Sequence, residues 1–447
     1  MLNLFYQTNP DIPNSIPEKY RTLEDKHKAG GVADQYLENM LDQVGIPYQC
    51  FTHETWNGEL AWYIVQIAWI DQATIYHNVF EHIDDKTLAL IRNEDCPIKL
   101  LLSFPTEGFS LEMPRFMDIL DFCIKDKAIP TSQVKFVFGD LNIKKNYSWF
   151  CSDHGGKGWA WDLDVYGMNS FELSYFHECE LMYWRREGRL ALTQEQVNKQ
   201  LISREEFVES VNVKRPKKFL FRNANPRVHR IYFAAELLRN ECLDDGIVSF
   251  LNRYFTPVVN VGEFNSFRPI DARQAEHYAG KFLAKTPIVH DMDSENIGEG
   301  LNQRFLIKQH YLDTYFSLIM ETTFEDAEPE NVLFLTEKIY QPMLNYHPFM
   351  VAGNPGLLKA LRDDGYATFP ELFDESYDGI PAKSTRAKII LDQTFAWCKN
   401  YNFYIEKEQI FHSNAIRDKL IHNHDHFKNC DKKKKWQDLV DWIMLKD

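Results

Sequence analysis

The sequence predicts an α/β protein of two successive domains facing a cleft, and three observations carry that expectation. Short apolar runs of strand length alternate with amphipathic helical stretches, the pattern of parallel sheets layered with helices. The alternation halts at Lys214-Arg215-Pro216-Lys217-Lys218 and starts again directly afterwards. At 447 residues the chain is also too long for one ordinary core. Two α/β halves imply a cleft, and ligands of such sheets bind outside the carboxyl ends of the strands.

The first domain is drawn at residues 1–212. Leu4-Phe5-Tyr6 reads as its first strand and residues 31–44 as a helix ending at Gly45. Residues 98–104 form a buried-strand pattern, 116–124 a helix, 135–140 a strand ending in a turn, and 194–211 a charged helix that Pro216 closes off. The second domain, 213–400, is expected to run strand 218–222, helix 227–240, strand 247–250, a loop-rich stretch to about 300, and strand 315–320. A helix opening near Thr336, strand 349–352, helix 356–364 and a short strand 366–369 complete it. Residues 401–447 read as a helical tail packing back on the first domain.

Composition narrows the function. A hydrophobic fraction of 44% with 14% aromatic residues suffices for packed interiors. The formal charge of −15 disfavours broad binding to a phosphate backbone, and the Lys432–Lys435 run reads as a solvated tail. Eight cysteines without a Cys-x-x-Cys pair fit reduced thiols of an intracellular chain. The first residues lack a secretory pattern and no window approaches eighteen apolar residues, so a cytoplasmic protein without a membrane span is expected.

The densest chemistry lies in Ser317-Leu318-Ile319-Met320-Glu321 and Leu335-Thr336-Glu337-Lys338. The first places Glu321 at the carboxyl end of a strand. In the second, Thr336 is a good N-cap, which puts Glu337 and Lys338 in the first helical turn, with Pro342 shortening or kinking the helix. Unpaired N–H groups, the positive end of the helix and a lysine suit a diphosphate, while Glu337 suits ribose hydroxyls. The same residues also fit a purely structural role, a favourable N-terminal carboxylate beside a solvated lysine. Arg222-Asn223-Ala224-Asn225-Pro226-Arg227-Val228-His229-Arg230, at a strand-to-helix turn, is an anion-binding candidate or else a solvated basic turn. Gly353-Asn354-Pro355-Gly356 permits close backbone approach to a ligand and is a weak signal by itself.

In the first domain Glu107 follows a buried strand and is placed to take a proton from an acceptor hydroxyl, with Asp140 and Asp153-His154-Gly155-Gly156 as lesser candidates. No metal site is expected. The imidazoles of His422, His424 and His426 do not share one helical face, and the Asp-x-Asp element Asp162-Leu163-Asp164 sits in an irregular segment.

These ordered pieces resemble the α-1,3-fucosyltransferase type of glycosyltransferase over residues 217–378. The runs 334–353, 361–369 and 374–378 are most similar to uncharacterised transferase-like proteins of bacteriophage and marine bacterial genomes. The resemblance implies a GT-B-type fold of two Rossmann-like domains and an inverting, metal-independent transfer from a nucleotide sugar, GDP-linked sugars favoured, without a cofactor. It implies that Arg230 and Lys338 hold the diphosphate, Glu337 the ribose, and Glu321 and Thr336 the donor site, with Arg222, Asn223, Arg227 and Gly353 as further donor or phosphate contacts. Glu107 takes the place of the general base. The acceptor is left between a glycan and a hydroxylated base in DNA, and the protein's place is a bacterial host's cytoplasm if the chain is phage-encoded. A non-catalytic carbohydrate- or nucleotide-binding protein that keeps the cleft is the alternative.

Overall fold

A computed structural model describes residues 1–6, 37, 41–42, 44–66, 83–104, 126–154, 163–168, 200–251, 264–267, 272–289, 306–327, 330–399 and 410–445. The protein is α/β, with two parallel sheets in two compact units. Unit 1 holds Met1–Ser174, Pro329–Phe334 and Asp431–Asp447; unit 2 holds Tyr175–Glu328 and Leu335–Cys430. Among the described residues no helix is long and apolar enough to cross a membrane.

Among the described residues unit 1 has six strands: β1 (Leu2–Phe5), β2 (Tyr48–Phe51), β3 (Ala61–Gln66), β4 (Ile98–Phe104), β5 (Val134–Phe138) and β6 (Asp164–Gly167), in the order β2-β1-β3-β4-β5-β6. Every pairing is parallel. β4 spans the residues expected of it, and Ile98, Leu100, Leu101 and Leu102 are all buried, because a central parallel strand is covered on both faces. Helix α1 (Asp85–Arg92) starts where Asp84 accepts the Thr87 N–H at 2.6 Å. Helix α2 (Ile143–His154) follows β5. The expected helices at 31–44 and 116–124 lie mostly or wholly outside the described residues.

The segment 432–444 is a helix, as expected of the tail, and the lysine run opens it with Lys433 and Lys434 exposed to solvent. Its Trp436, Leu439 and Ile443 line a small cavity together with Leu101, Ser103 and Val137 of the sheet. Beneath it lies Lys135 of β5, 2% exposed. Its Nζ donates to the carbonyls of Trp442 (2.9 Å) and Leu445 (3.0 Å) at the helix end and sits 3.4 Å from Asp164 Oδ2. The lysine supplies donors that the helix terminus lacks. Asp140 has a similar tethering role: fully buried, it accepts from the N–H of Asn142 (2.9 Å) and Leu333 (2.8 Å) and from Asn146 Nδ2 (2.8 Å).

Unit 2 repeats the topology with four strands among its described residues: β7 (Phe219–Asn223), β8 (Gly246–Phe250), β9 (Phe316–Met320) and β10 (Phe349–Ala352), ordered β10-β9-β7-β8 and all parallel. Its helices are α3 (Arg204–Ser210), α4 (Val228–Arg239), α5 (Ala272–Leu283), α6 (Lys308–Leu312), α7 (Glu337–Leu344), α8 (Leu357–Asp363), α9 (Lys383–Lys399) and α10 (Asn414–Asn429). α3 belongs here, although the sequence-drawn boundary lies at 212/213: Phe207 stacks on Tyr346 at 4.6 Å and Lys308 Nζ meets Glu206 at 2.5 Å.

Three local differences have clear causes. The single helix expected over 194–211 is interrupted at 201–203, where Ser203 and Glu206 form a capping box that starts α3 afresh. The loop-rich stretch contains α5, which buries Ala275, Ala279 and Phe282 at helical spacing. Residues 366–369 are not a strand. The Asn423 side chain supplies the pairing instead, accepting from Ala367 N (2.7 Å) and donating to its carbonyl (2.8 Å).

Candidate functional site

The sheet of unit 2 reverses its winding between β7 and β9. From β7 the chain passes to β8 on one side and later to β9 on the other, and ligands of open α/β sheets bind at the carboxyl ends of such a pair. The residues singled out in the sequence stand there. Asn223 ends β7, Glu321 directly follows β9, and Gly353 directly follows β10.

Glu321 is fully buried, and its carboxylate organises the start of α7. Thr336 Oγ1 donates to Oε2 at 2.6 Å, Thr336 N to Oε1 at 3.2 Å, and Thr322 N to Oε2 at 3.2 Å. With its proton spent on Glu321, the Thr336 hydroxyl accepts from Lys338 N (3.3 Å) and Lys338 Nζ (3.2 Å). Thr336 is therefore the N-cap, as its position implied, and Glu337 and Lys338 occupy the first turn. Their side chains remain 22% and 26% exposed and pair with each other at 2.8 Å. Burial pushes the Glu321 carboxyl up against the pull of Lys338 and Thr336. For Glu337 burial also works upward, yet Lys338, its own backbone N–H and Arg230 together hold it below the usual range.

The opening of α4 locks onto the same strand end. His229 Nε2 lies 3.0 Å from the Glu321 carbonyl, and Arg230 donates through Nη2 to the carbonyls of Met320 (3.3 Å) and Glu321 (3.2 Å) and through Nη1 to Asn225 O (3.1 Å). Both side chains are buried, and burial with the charge of Arg230 keeps His229 neutral. Arg230 thus holds the backbone that presents Glu321. Its charge reaches Glu337, while the Lys338 side chain stays partly accessible at the site.

Asn223 is different in kind. It is 5% exposed, and neither Oδ1 nor Nδ2 has a hydrogen-bond partner among the described residues. A buried carboxamide without partners is costly, by about 1–3 kcal/mol, and calls for an explanation. Asn225 Oδ1, two residues on, is unpartnered as well.

The loop after Glu321 is held from behind. Arg386, fully buried, donates to the carbonyls of Ile380, Pro381 and Glu325, and its guanidinium lies 4.9 Å from the Phe324 ring; burial lowers its pKa to about 10. Asn354 Oδ1 accepts from Glu325 N at 2.7 Å. Gly353 is closely packed: an added Cβ would stand 2.6 Å from Leu357 Cδ1, so that side chain would have to move, and 3.4 Å from Glu321 Cβ. The start of α8 is filled by Asp378, which accepts from the N–H groups of Leu358 (2.9 Å) and Lys359 (2.8 Å).

Asn223, Arg230, Glu321, Thr336, Glu337 and Lys338 therefore meet at one end of one sheet. Arg222 points elsewhere, reaching the Tyr311 hydroxyl at 3.5 Å, and Arg227 is the exposed N-cap of α4. Glu107, Gly155, Gly156 and Asp162 lie outside the described residues. Asp164 is occupied with Lys135 and with the Trp442 indole, which donates at 3.1 Å. His422 and His426 lie 2.7 and 2.8 Å from the carbonyls of Gly365 and Asp364, while His424 stacks on Tyr346. Sequence reasoning missed the roles of Arg386 and Asp378, because both act on chain more than fifteen residues away.

No protein-family model and no curated protein sequence matches the chain. Solved structures similar to it include two trehalose-phosphate synthases. One is an alpha,alpha-trehalose-phosphate synthase (UDP-forming) from Burkholderia vietnamiensis, 11% identical over 96% of this chain and 82% of that one, with a TM-score of 0.38. The other is an alpha,alpha-trehalose 6-phosphate synthase from Burkholderia multivorans, 10% identical over 91% of this chain and 74% of that one, also at 0.38. At that score neither likeness carries a functional argument.

Proposed function

We propose that unit 2 binds a nucleotide sugar at the carboxyl ends of β7 and β9 and that the protein is a glycosyltransferase. The observation that supports this most is the Glu321–Thr336 hydrogen bond of 2.6 Å. It joins two separate motifs of the resemblance and fixes the turn carrying Glu337 and Lys338 at the edge of the sheet. An incoming diphosphate competes with Glu337 for Lys338, and Glu337, held ionised, is then free to accept from ribose hydroxyls.

Asn223 adds a constraint on the ligand. Its Oδ1 needs a donor and its Nδ2 an acceptor; a hydroxyl supplies both, a phosphate oxygen only the second. We assign Asn223 to a hydroxyl of the ribose or the transferred sugar.

In the inverting reaction the acceptor oxygen attacks the anomeric carbon as the bond to the diphosphate breaks, and the acceptor proton passes to a carboxylate base. Glu107, following β4, is our choice for that base. The charge on the departing diphosphate is met by Lys338, the first turn of α7 and the nearby Arg230. A glycan hydroxyl is the proposed acceptor.

The test is a thermal-shift panel of GDP, UDP and their sugar conjugates, followed by titration of the best ligand into wild type and Lys338→Ala. The variant should bind at least about tenfold more weakly, a loss of ~1.4 kcal/mol, at unchanged melting temperature. Equal affinity in the two proteins would remove Lys338 from the site. Hydrolysis of the bound nucleotide sugar without acceptor separates an enzyme from a binding module, which should show none.

A further inference from the structure

The other end of α4 carries a second, unrelated cluster. Cys242 follows the helix and is buried; the 3-10 turn Leu243–Asp245 begins there, and Asp245 N donates back to Cys242 O at 3.1 Å. The turn brings the Asp245 carboxylate beside the Cys242 thiol. Cys398, half-buried in the last turn of α9, supplies another thiol from 156 residues away. The two Sγ atoms and a carboxylate oxygen all lie within 4.8 Å of one another.

Two ligands three residues apart on a tight turn, completed by a ligand from a distant helix, is how small thiolate-rich metal sites are assembled, here with Cys-x-x-Asp in place of Cys-x-x-Cys. Sulfurs bound at ~2.3 Å to a tetrahedral zinc stand about 3.8 Å apart, so these atoms need only small side-chain rotations. The field is also suitable. The carboxyl-terminal ends of α4 and α9 both present partial negative charge, which favours a cation. Two thiolates, a carboxylate and a divalent ion leave one net negative charge, and Lys218 Nζ, 3.6 Å from Asp245, is placed to offset it.

We propose that Cys242, Asp245 and Cys398 bind a thiolate-preferring divalent cation of the zinc class, with water as the fourth ligand, tying the end of α4 to the end of α9. Sulfur donors select against magnesium and calcium. Cys242 Sγ donates to Asn240 O at 3.3 Å, a contact that ligation as thiolate gives up. The site is independent of the nucleotide reading.

The experiment uses the full chain, reduced with a phosphine, stripped with a chelator and titrated with cobalt(II) and then zinc(II). Wild type should take one cobalt per chain, with a thiolate-to-metal band in the near ultraviolet that zinc abolishes, and zinc should raise its melting temperature. Cys398→Ser should lose the band and the shift while keeping the wild-type circular dichroism. Asp245→Asn, at the exposed rim, should weaken binding by about tenfold or more. An absent band in wild type overturns the proposal, as does the same band in Cys398→Ser. It is equally overturned if a thiol oxidant closes a Cys242–Cys398 disulfide in a chain that gives no band, since the pair would then be a bare dithiol.

Discussion

At the scale of single residues, two buried groups titrate in opposite senses. His347 is fully buried against Thr314 and Ser317, and burial, with the Arg215 charge, drives its pKa down to about 3. A histidine depressed in the folded state contributes stability that is whole above about 6.5 and is lost as the pH falls towards 3, at about 1.4 kcal/mol per pH unit. His229 is depressed in the same direction. Asp140 is raised to about 6 by burial, so its contribution is greatest below about 4 and is lost as the pH rises through 6. Urea unfolding between pH 4 and 7 should therefore show unit 2 weakening on acidification, and His347→Gln should flatten its slope by about one proton. A second expectation concerns Asn223. Replacing an unpartnered buried carboxamide by the similarly shaped leucine should leave the ligand-free protein as stable or more stable while weakening nucleotide-sugar binding. Loss of stability with unchanged binding would instead give Asn223 a structural role.

At the scale of elements, stability at the edges of unit 1 rests on few contacts. Lys135→Met keeps the apolar stem but leaves the carbonyls of Trp442 and Leu445 and the Asp164 carboxylate without their cation. A loss of about 2 kcal/mol, read from chemical denaturation, is expected. The same scale shows what the sequence made legible. β4, β9 and β10 are apolar runs bounded by turn residues, and Thr336 is an N-cap type before an amphipathic turn, so local chemistry suffices. The capping box at Ser203 and Glu206 and the buried stripe of α5 were also written locally, and reading one long helix and one long loop passed over them. Residues 366–369 could not be read in this way: their pairing partner is the side chain of Asn423, not a strand. The site divides similarly. Its residue types and spacing were visible, but not that Glu321 caps the turn beginning at Thr336, nor that Arg230 is spent on strand-end carbonyls.

At the scale of the whole molecule, each unit has its own sheet, and the chain passes between the two more than once. A chain ending at Cys430 removes the helix that lies over Leu101 and Val137 and whose end Lys135 caps, while leaving every described residue of unit 2. Limited proteolysis should then find unit 1 unprotected, and the nucleotide-dependent thermal shift of unit 2 should persist. Disappearance of both would mean that the two fold as one cooperative body. The same threading bears on biosynthesis. A ribosome that has made the first 174 residues has not yet made the two segments, 329–334 and 431–447, that complete the unit they begin. Unit 2 can close once residue 430 has emerged, but the amino-terminal unit must wait for the helix at 432–444. This reverses the usual amino-terminal-first order of folding during synthesis, and it makes the nascent amino-terminal sheet the stage at which a chaperone is most needed.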